Sequence, residues 1–181
     1  IYILMIAALA ILAIADLVVG VSNDAVNFLN SAIGSKAVSF KTIMIVASLG
    51  VAVGAVFSSG MMEVARKGIF NPGEFYFDEI ILIFTAVMLT DILLLDFFNT
   101  LGMPTSTTVS IVFTMLGAAF FMSVIKISET IADFGDIVNY INTTKAIQII
   151  SGILLSVVVA LTVGAIVQWF SRLFLTYEFE K

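Results

Sequence analysis

Long apolar runs separated by short polar segments dominate the chain. Five runs approach the ~20 residues that an α-helix needs to cross ~30 Å of hydrocarbon. They are Ile1–Val19, Phe40–Met62, Ile80–Phe98, Thr107–Ile127 and Ala146–Phe170. Strict alternation of apolar and polar residues is not seen, which argues against a β-barrel. The pattern predicts an all-α polytopic membrane helix bundle of about five spans, with residues 1–181 forming a single transmembrane domain.

The connections are unequal. Gly20–Ser39 is polar but carries few charges. Glu63–Glu79, with Arg66, Lys67 and Pro72, reads as an aqueous loop, whereas only Asn99–Ser106 separates the third and fourth runs. In Ser128–Lys145, Ile131, Phe134, Val138 and Ile141 continue from Ile127 at three- and four-residue steps, with Glu129, Asp133 and Asp136 between them. That spacing predicts a helix lying on the membrane surface or against a partner. Gly50, Gly54 and Ser58 form a small-residue stripe suited to close helix packing. Trp169, Phe170 and Tyr177, with Arg172 among them, read as an interfacial anchor. Basic residues divide evenly between the two faces, so no orientation follows from them.

Composition sharpens this picture. Hydrophobic residues make up 61% of the chain and charged ones 12%, against ~25% charged in ordinary soluble domains. A soluble fold of this size could not hide so much apolar surface, so lipid is the expected solvent. The net charge of −5 argues against a nucleic-acid partner. Cysteine and histidine are both absent, which leaves carboxylates as the groups available for proton or cation chemistry. No nucleophile–base pair or metal triad is visible, so an enzyme is not expected.

The candidate chemistry lies where polar residues interrupt apolar runs. Asp16, Asp24, Asp91 and Asp96 fall in or beside the spans. A charged side chain at the bilayer centre costs at least ~2.5–3.5 kcal/mol. Each of these acids therefore needs water, a cation or a proton, unless it reaches the headgroups from a helix end.

Two polar constellations stand out. In the first, Asn23, Asn27, Asn30, Ser31 and Gly34 share one face if the segment is helical, and Asp24 lies beside them. Gly20 permits a bend after the first run. Short amide, hydroxyl and carboxylate groups on one stripe suit a hard cation such as Na⁺, or an oxyanion; a solvated surface helix is the plainer alternative. In the second, Gly102 and Pro104 interrupt the apolar pattern between Asp96-Phe97-Phe98-Asn99 and Thr105-Ser106-Thr107-Thr108. The hydroxyl run offers N-caps for the next helix, whose N-terminus suits an anion; a tight turn with simple capping is the alternative. Two broken or re-entrant polar segments of this kind are how many secondary transporters build a solute site.

Asn23-Asp24-x-x-Asn27, followed by Gly34-Ser35-Lys36, resembles the Asn-Asp signature of the inorganic phosphate transporter (PiT) family. Gly102-Met103-Pro104-Thr105-Ser106-Thr107-Thr108 resembles its Gly-x-Pro-x-Ser-Thr-Thr string. Val21 and Val109 stand where the family usually has Gly and often has His. The resemblance implies a cation-coupled phosphate symporter of two inverted repeats, driven by Na⁺ or H⁺ and needing no other cofactor. On that basis Asn23, Asp24 and Asn27, with Thr105, Ser106, Thr107 and Thr108, are the expected phosphate-binding residues. Asp24 and Asn23 are the expected cation ligands, followed by Asp96 and Asn99. One signature is present, so the chain is expected to be one half of a larger transporter in the plasma (inner) membrane, completed by a second repeat or a second copy. A permease for another oxyanion such as sulfate, and a non-transporting scaffold subunit, are the alternatives.

Overall fold

The computed structural model describes residues 2–58, 68–103, 105–129, 135 and 137–174. Among these the chain is built of helices: α1 (Tyr2–Ser35), α2 (Phe40–Val56), α3 (Phe77–Thr100), α4 (Thr107–Glu129), α5 (Ile137–Tyr140) and α6 (Thr143–Phe174). Four of them, α1, α3, α4 and α6, are long and apolar enough to cross a membrane. The chain is an integral membrane protein, and its described helices expose many large aliphatic side chains. The chain divides into two compact units, Ile1–Thr143 and Thr144–Lys181.

The first correction to the sequence reading concerns Gly20. No bend occurs there: α1 runs without interruption from the apolar Tyr2 end through Asn23, Asp24 and Asn27 to Ser35. Glycine weakens a helix by roughly 0.5–1 kcal/mol but leaves its hydrogen-bond ladder intact. A Cβ on Gly20 would make ordinary van der Waals contact with Thr107 Cγ2 at 3.6 Å and Leu95 Cδ1 at 4.0 Å, so α1 passes beside α3 and α4 at this point. The first polar segment is therefore a polar extension of a helix, and the break falls later, at Lys36. That residue has a φ of 52°, the left-handed conformation in which helices commonly end. The Ser35 hydroxyl donates to the Ala32 carbonyl, and Ser35 Oγ accepts from the Ala37 amide.

The α2 helix starts at an N-cap, Ser39, whose hydroxyl oxygen accepts from the Thr42 amide at 3.3 Å. Its end at Val56 is short of the expected Met62; residues 59–67, which include Arg66 and Lys67, lie outside the described residues. The presumed aqueous loop before α3 is also corrected, because its described part packs. Ile69, Phe70 and Phe75 are buried, and Phe70 meets Phe75 and Phe84 edge-on. Phe70 and Ile141 form an isolated antiparallel bridge, supported by Asn71 N–H to the Tyr140 carbonyl and Asn142 N–H to the Ile69 carbonyl. Ile131, Asp133, Phe134 and Asp136, on which the expected surface helix depends, lie outside the described residues, leaving α5 as its described part.

The first unit is organised around α3, which packs on both α1 and α4. Tyr2 stacks edge-on against Phe77, Asp16 meets Asp91, and Gly20 faces Leu95. Those pairs advance together at one constant offset, so α1 and α3 run parallel. The α4 helix returns antiparallel, its Lys126 pairing with Glu79 at 2.8 Å near the start of α3. Glu79 also accepts from the Tyr76 amide at 2.6 Å, capping α3. Small buried side chains, Ala119 and Ser123, line the core face of α4. In the second unit, α6 carries Trp169 against Phe170, and Phe170 stacked on Phe174, beside Arg172 at its end. Tyr177, the remaining member of the expected anchor, lies outside the described residues.

Candidate functional site

The turn between α3 and α4 sets the geometry of the site. Leu101 caps α3, and Gly102 follows with a φ of 68°. The Gly102 amide bonds the Asn99 carbonyl at 3.1 Å, and the Met103 amide bonds the Phe98 carbonyl at 3.0 Å. This paired closure is a Schellman motif, for which glycine is the favoured residue. Pro104 lies outside the described residues. Ser106 then caps α4: its hydroxyl oxygen accepts from the Val109 amide at 3.4 Å, and its carbonyl accepts from the Ser110 amide.

Helix α1 brings its signature residues to this turn. Asn23 is 0% exposed. Its side-chain amide donates to the Thr105 carbonyl at 2.5 Å, and its Oδ1 accepts from the Thr105 amide at 3.3 Å. The Asn23 side chain thus pairs both backbone polar groups of a non-helical residue, which would otherwise need other partners within the bundle. Next to it, the Asp24 carboxylate accepts from the Thr107 hydroxyl, at 3.1 Å through Oδ2 and 3.3 Å through Oδ1. Asn23 Nδ2 also approaches Asp24 Oδ1 at 3.4 Å. Asn27 is exposed one turn on, and its amide donates to the Asn23 carbonyl at 3.5 Å.

Asn23, Asp24, Thr105 and Thr107 therefore meet, with Ser106 between the two threonines and Asn27 at the edge. Thr108 is half-buried on the first turn of α4. Asp96 is exposed and Asn99 half-buried near the end of α3; neither side chain joins the hydrogen bonds linking α1 to α4 among the described residues. Beside the meeting point, a cavity of about 560 Å³ opens between α3 and α4, lined in part by Thr90, Thr105, Ser110 and Thr114. A second, of about 620 Å³, lies between α1 and α2, with Asp24 on its wall.

The chemistry available follows from position. A carboxylate sits at the first turn of α4, where the helix dipole and backbone N–H groups favour negative charge. Around it are short hydroxyl and amide groups able to ligate a hard cation or to donate to oxyanion oxygens. The Asn23–Thr105 pairing was not legible in the sequence, since no local pattern joins an amide on one helix to a turn two helices later. Comparison with curated proteins and with solved structures gives no significant match. The family model for the phosphate transporter family matches residues 20–181, a stretch that begins at the glycine packed on Thr107 and takes in both polar segments. The chain belongs to the phosphate transporter family.

Proposed function

We propose that this chain forms one half of a cation-coupled symporter for inorganic phosphate in the plasma membrane, with its solute site where α1 meets the start of α4. The observation that carries this reading is the Asp24–Thr107 contact. A phosphate oxygen approaching the N-terminus of α4 would meet the Asp24 carboxylate already there. Two anions at one helix terminus repel, and a cation between them turns repulsion into mutual support. Each ligand then raises affinity for the other, which is the thermodynamic content of coupling. Asp24 and Asn23 supply cation ligands, with Na⁺ or H⁺ as the coupling ion. Asn27, Ser106, Thr107 and Thr108 supply donors to phosphate, and Thr105 is held in place by Asn23. Asp96 and Asn99 take a secondary part as cation ligands from the end of α3.

Asp24→Asn removes the charge at nearly constant size. In vesicles containing the full transporter it is expected to abolish cation-driven uptake of labelled phosphate. Undiminished uptake by the variant would overturn the assignment. Competition of wild-type uptake by unlabelled sulfate is expected to be weak, and strong competition would move the substrate toward oxyanions in general.

A further inference from the structure

Helix α3 carries a second polar cluster that the phosphate site does not use. Its buried stripe runs Ile83, Val87, Asp91, Leu95, so an acid occupies a position in an otherwise aliphatic core row. Asp91 is 1% exposed and, at 1.5 Å per residue, roughly 20 Å and 13 Å from the two ends of its helix. It does not reach a headgroup region from there. The Ser110 hydroxyl on α4, itself buried, donates to Asp91 Oδ1. Asp91 Oδ2 is buried without a hydrogen-bond partner, and so is Asp16 Oδ1 on α1. The register that sets Tyr2 against Phe77 and Gly20 against Leu95 places Asp16 of α1 opposite Asp91 of α3.

Among the described residues, α1, α3 and α4 place no basic side chain beside this pair. The other charged residues of α1 and α3 are Asp24, Asp78, Glu79 and Asp96, all acids, and α4 carries Lys126 and Glu129 near its far end. Lys126 is engaged with Glu79. Among the described residues no third acid converges on the pair. Two ionised carboxylates in contact within an apolar bundle repel strongly, so one positive charge belongs between them. A metal ion asks for oxygens on several sides. Here Ser110 Oγ is the one further oxygen hydrogen-bonded to the pair among the described residues, too few for a metal, whereas a proton needs only the two facing oxygens.

We propose that Asp16 and Asp91 form a two-carboxylate site that holds one exchangeable proton between them, separate from the phosphate site. The Ser110 hydroxyl donates to Asp91 Oδ1, and the unpartnered oxygens of Asp16 and Asp91 are the ones free to share the proton; its release to water leaves two carboxylates. Eight residues along α1, roughly 12 Å, separate Asp16 from Asp24.

Infrared spectroscopy of the full transporter in lipid tests this without any transport measurement, so the result is independent of the phosphate reading. The wild type at neutral pH is expected to show a protonated-carboxyl stretch that shifts in D₂O. That band should vanish in Asp16→Asn and in Asp91→Asn. Ser110→Ala, which keeps both acids and guards against misfolding of the charge variants, should shift the band without removing it. Replacing choline by Na⁺ in the buffer should leave the band in place. A spectrum unchanged by all three substitutions would overturn the proposal, as would loss of the band on adding Na⁺, which would make the pair a sodium site.

Discussion

Asn23 has the most constrained side chain at the candidate site. It is fully buried and serves both backbone groups of Thr105. Truncation to alanine leaves the amide and carbonyl of the half-buried Thr105 without this partner, at up to about 1–3 kcal/mol for each group left unpaired. Asn23→Ala is therefore expected to lower the thermal unfolding midpoint of the purified transporter in detergent as well as its phosphate uptake. Asn23→Asp keeps the acceptor for the Thr105 amide but faces the Thr105 carbonyl with an oxygen, so it should recover only part of the loss. The polar character of Asn23 and Asp24, just after a long apolar run, was legible from the sequence, because membrane physics makes such residues conspicuous. Their partners were not. Nothing near Asn23 in the chain specifies Thr105, and nothing near Ser110 specifies Asp91, to which its hydroxyl donates.

The elements divide in the same way. Four of the five apolar runs correspond to helices long enough to span, since length and hydropathy are local properties. The junctions were harder. Gly20 and the polar residues after it suggested a bend, yet helix continues because packing against α3 and α4 outweighs one weak helix former. That helix ends instead at Lys36, while the second break, at Gly102, was marked in the sequence by Gly102 and Pro104, and its Schellman closure explains the glycine. Gly102→Ala forces a Cβ into the left-handed region, at about 1–2 kcal/mol, and should loosen the turn that presents Thr105. Ser106→Ala removes the cap of α4, at about 1 kcal/mol. Both variants are expected to unfold at lower temperature, and in Ser106→Ala uptake should fall further than stability alone explains, since the hydroxyl is also assigned to phosphate. Equal loss of stability and uptake would confine Ser106 to capping. The segment before α3 was misread for a different reason: its charges and Pro72 concealed the buried Ile69, Phe70 and Phe75.

At the scale of the molecule, α1 and α3 run parallel and α4 antiparallel, the alternation that successive membrane crossings require. The five apolar runs form an odd number of crossings if each spans, and an odd number sends a second copy of the same repeat into the bilayer the other way up. On the proposed reading, one Asn-Asp signature supplies one set of cation ligands. Residues 1–181 reconstituted alone are therefore expected to bind phosphate weakly and to give no concentrative uptake in vesicles. Adding a second repeat in the same membrane should restore uptake; full uptake by the lone chain would favour pairing of two identical copies, seen as a dimer by cross-linking. Lys126, which bonds Glu79 and lies 4.4 Å from the Tyr76 ring centroid, closes the end of the unit away from the site. Its replacement by alanine should affect unfolding by about 1 kcal/mol and leave the cation dependence of uptake unchanged.

Asn23 and Thr105 are joined in the way that neighbouring strands of a sheet are joined, with a donor and an acceptor on each side. A single hydrogen bond would act as a pivot, whereas two resist rotation as well as separation. If the proposed site alternates between the two sides of the bilayer, the middle of α1 and the entry to α4 are expected to travel together. The joint for that motion has to lie beyond the clasp, and the corner at Lys36, where the backbone already leaves its helical path, is the nearest place along α1 for the swing to begin.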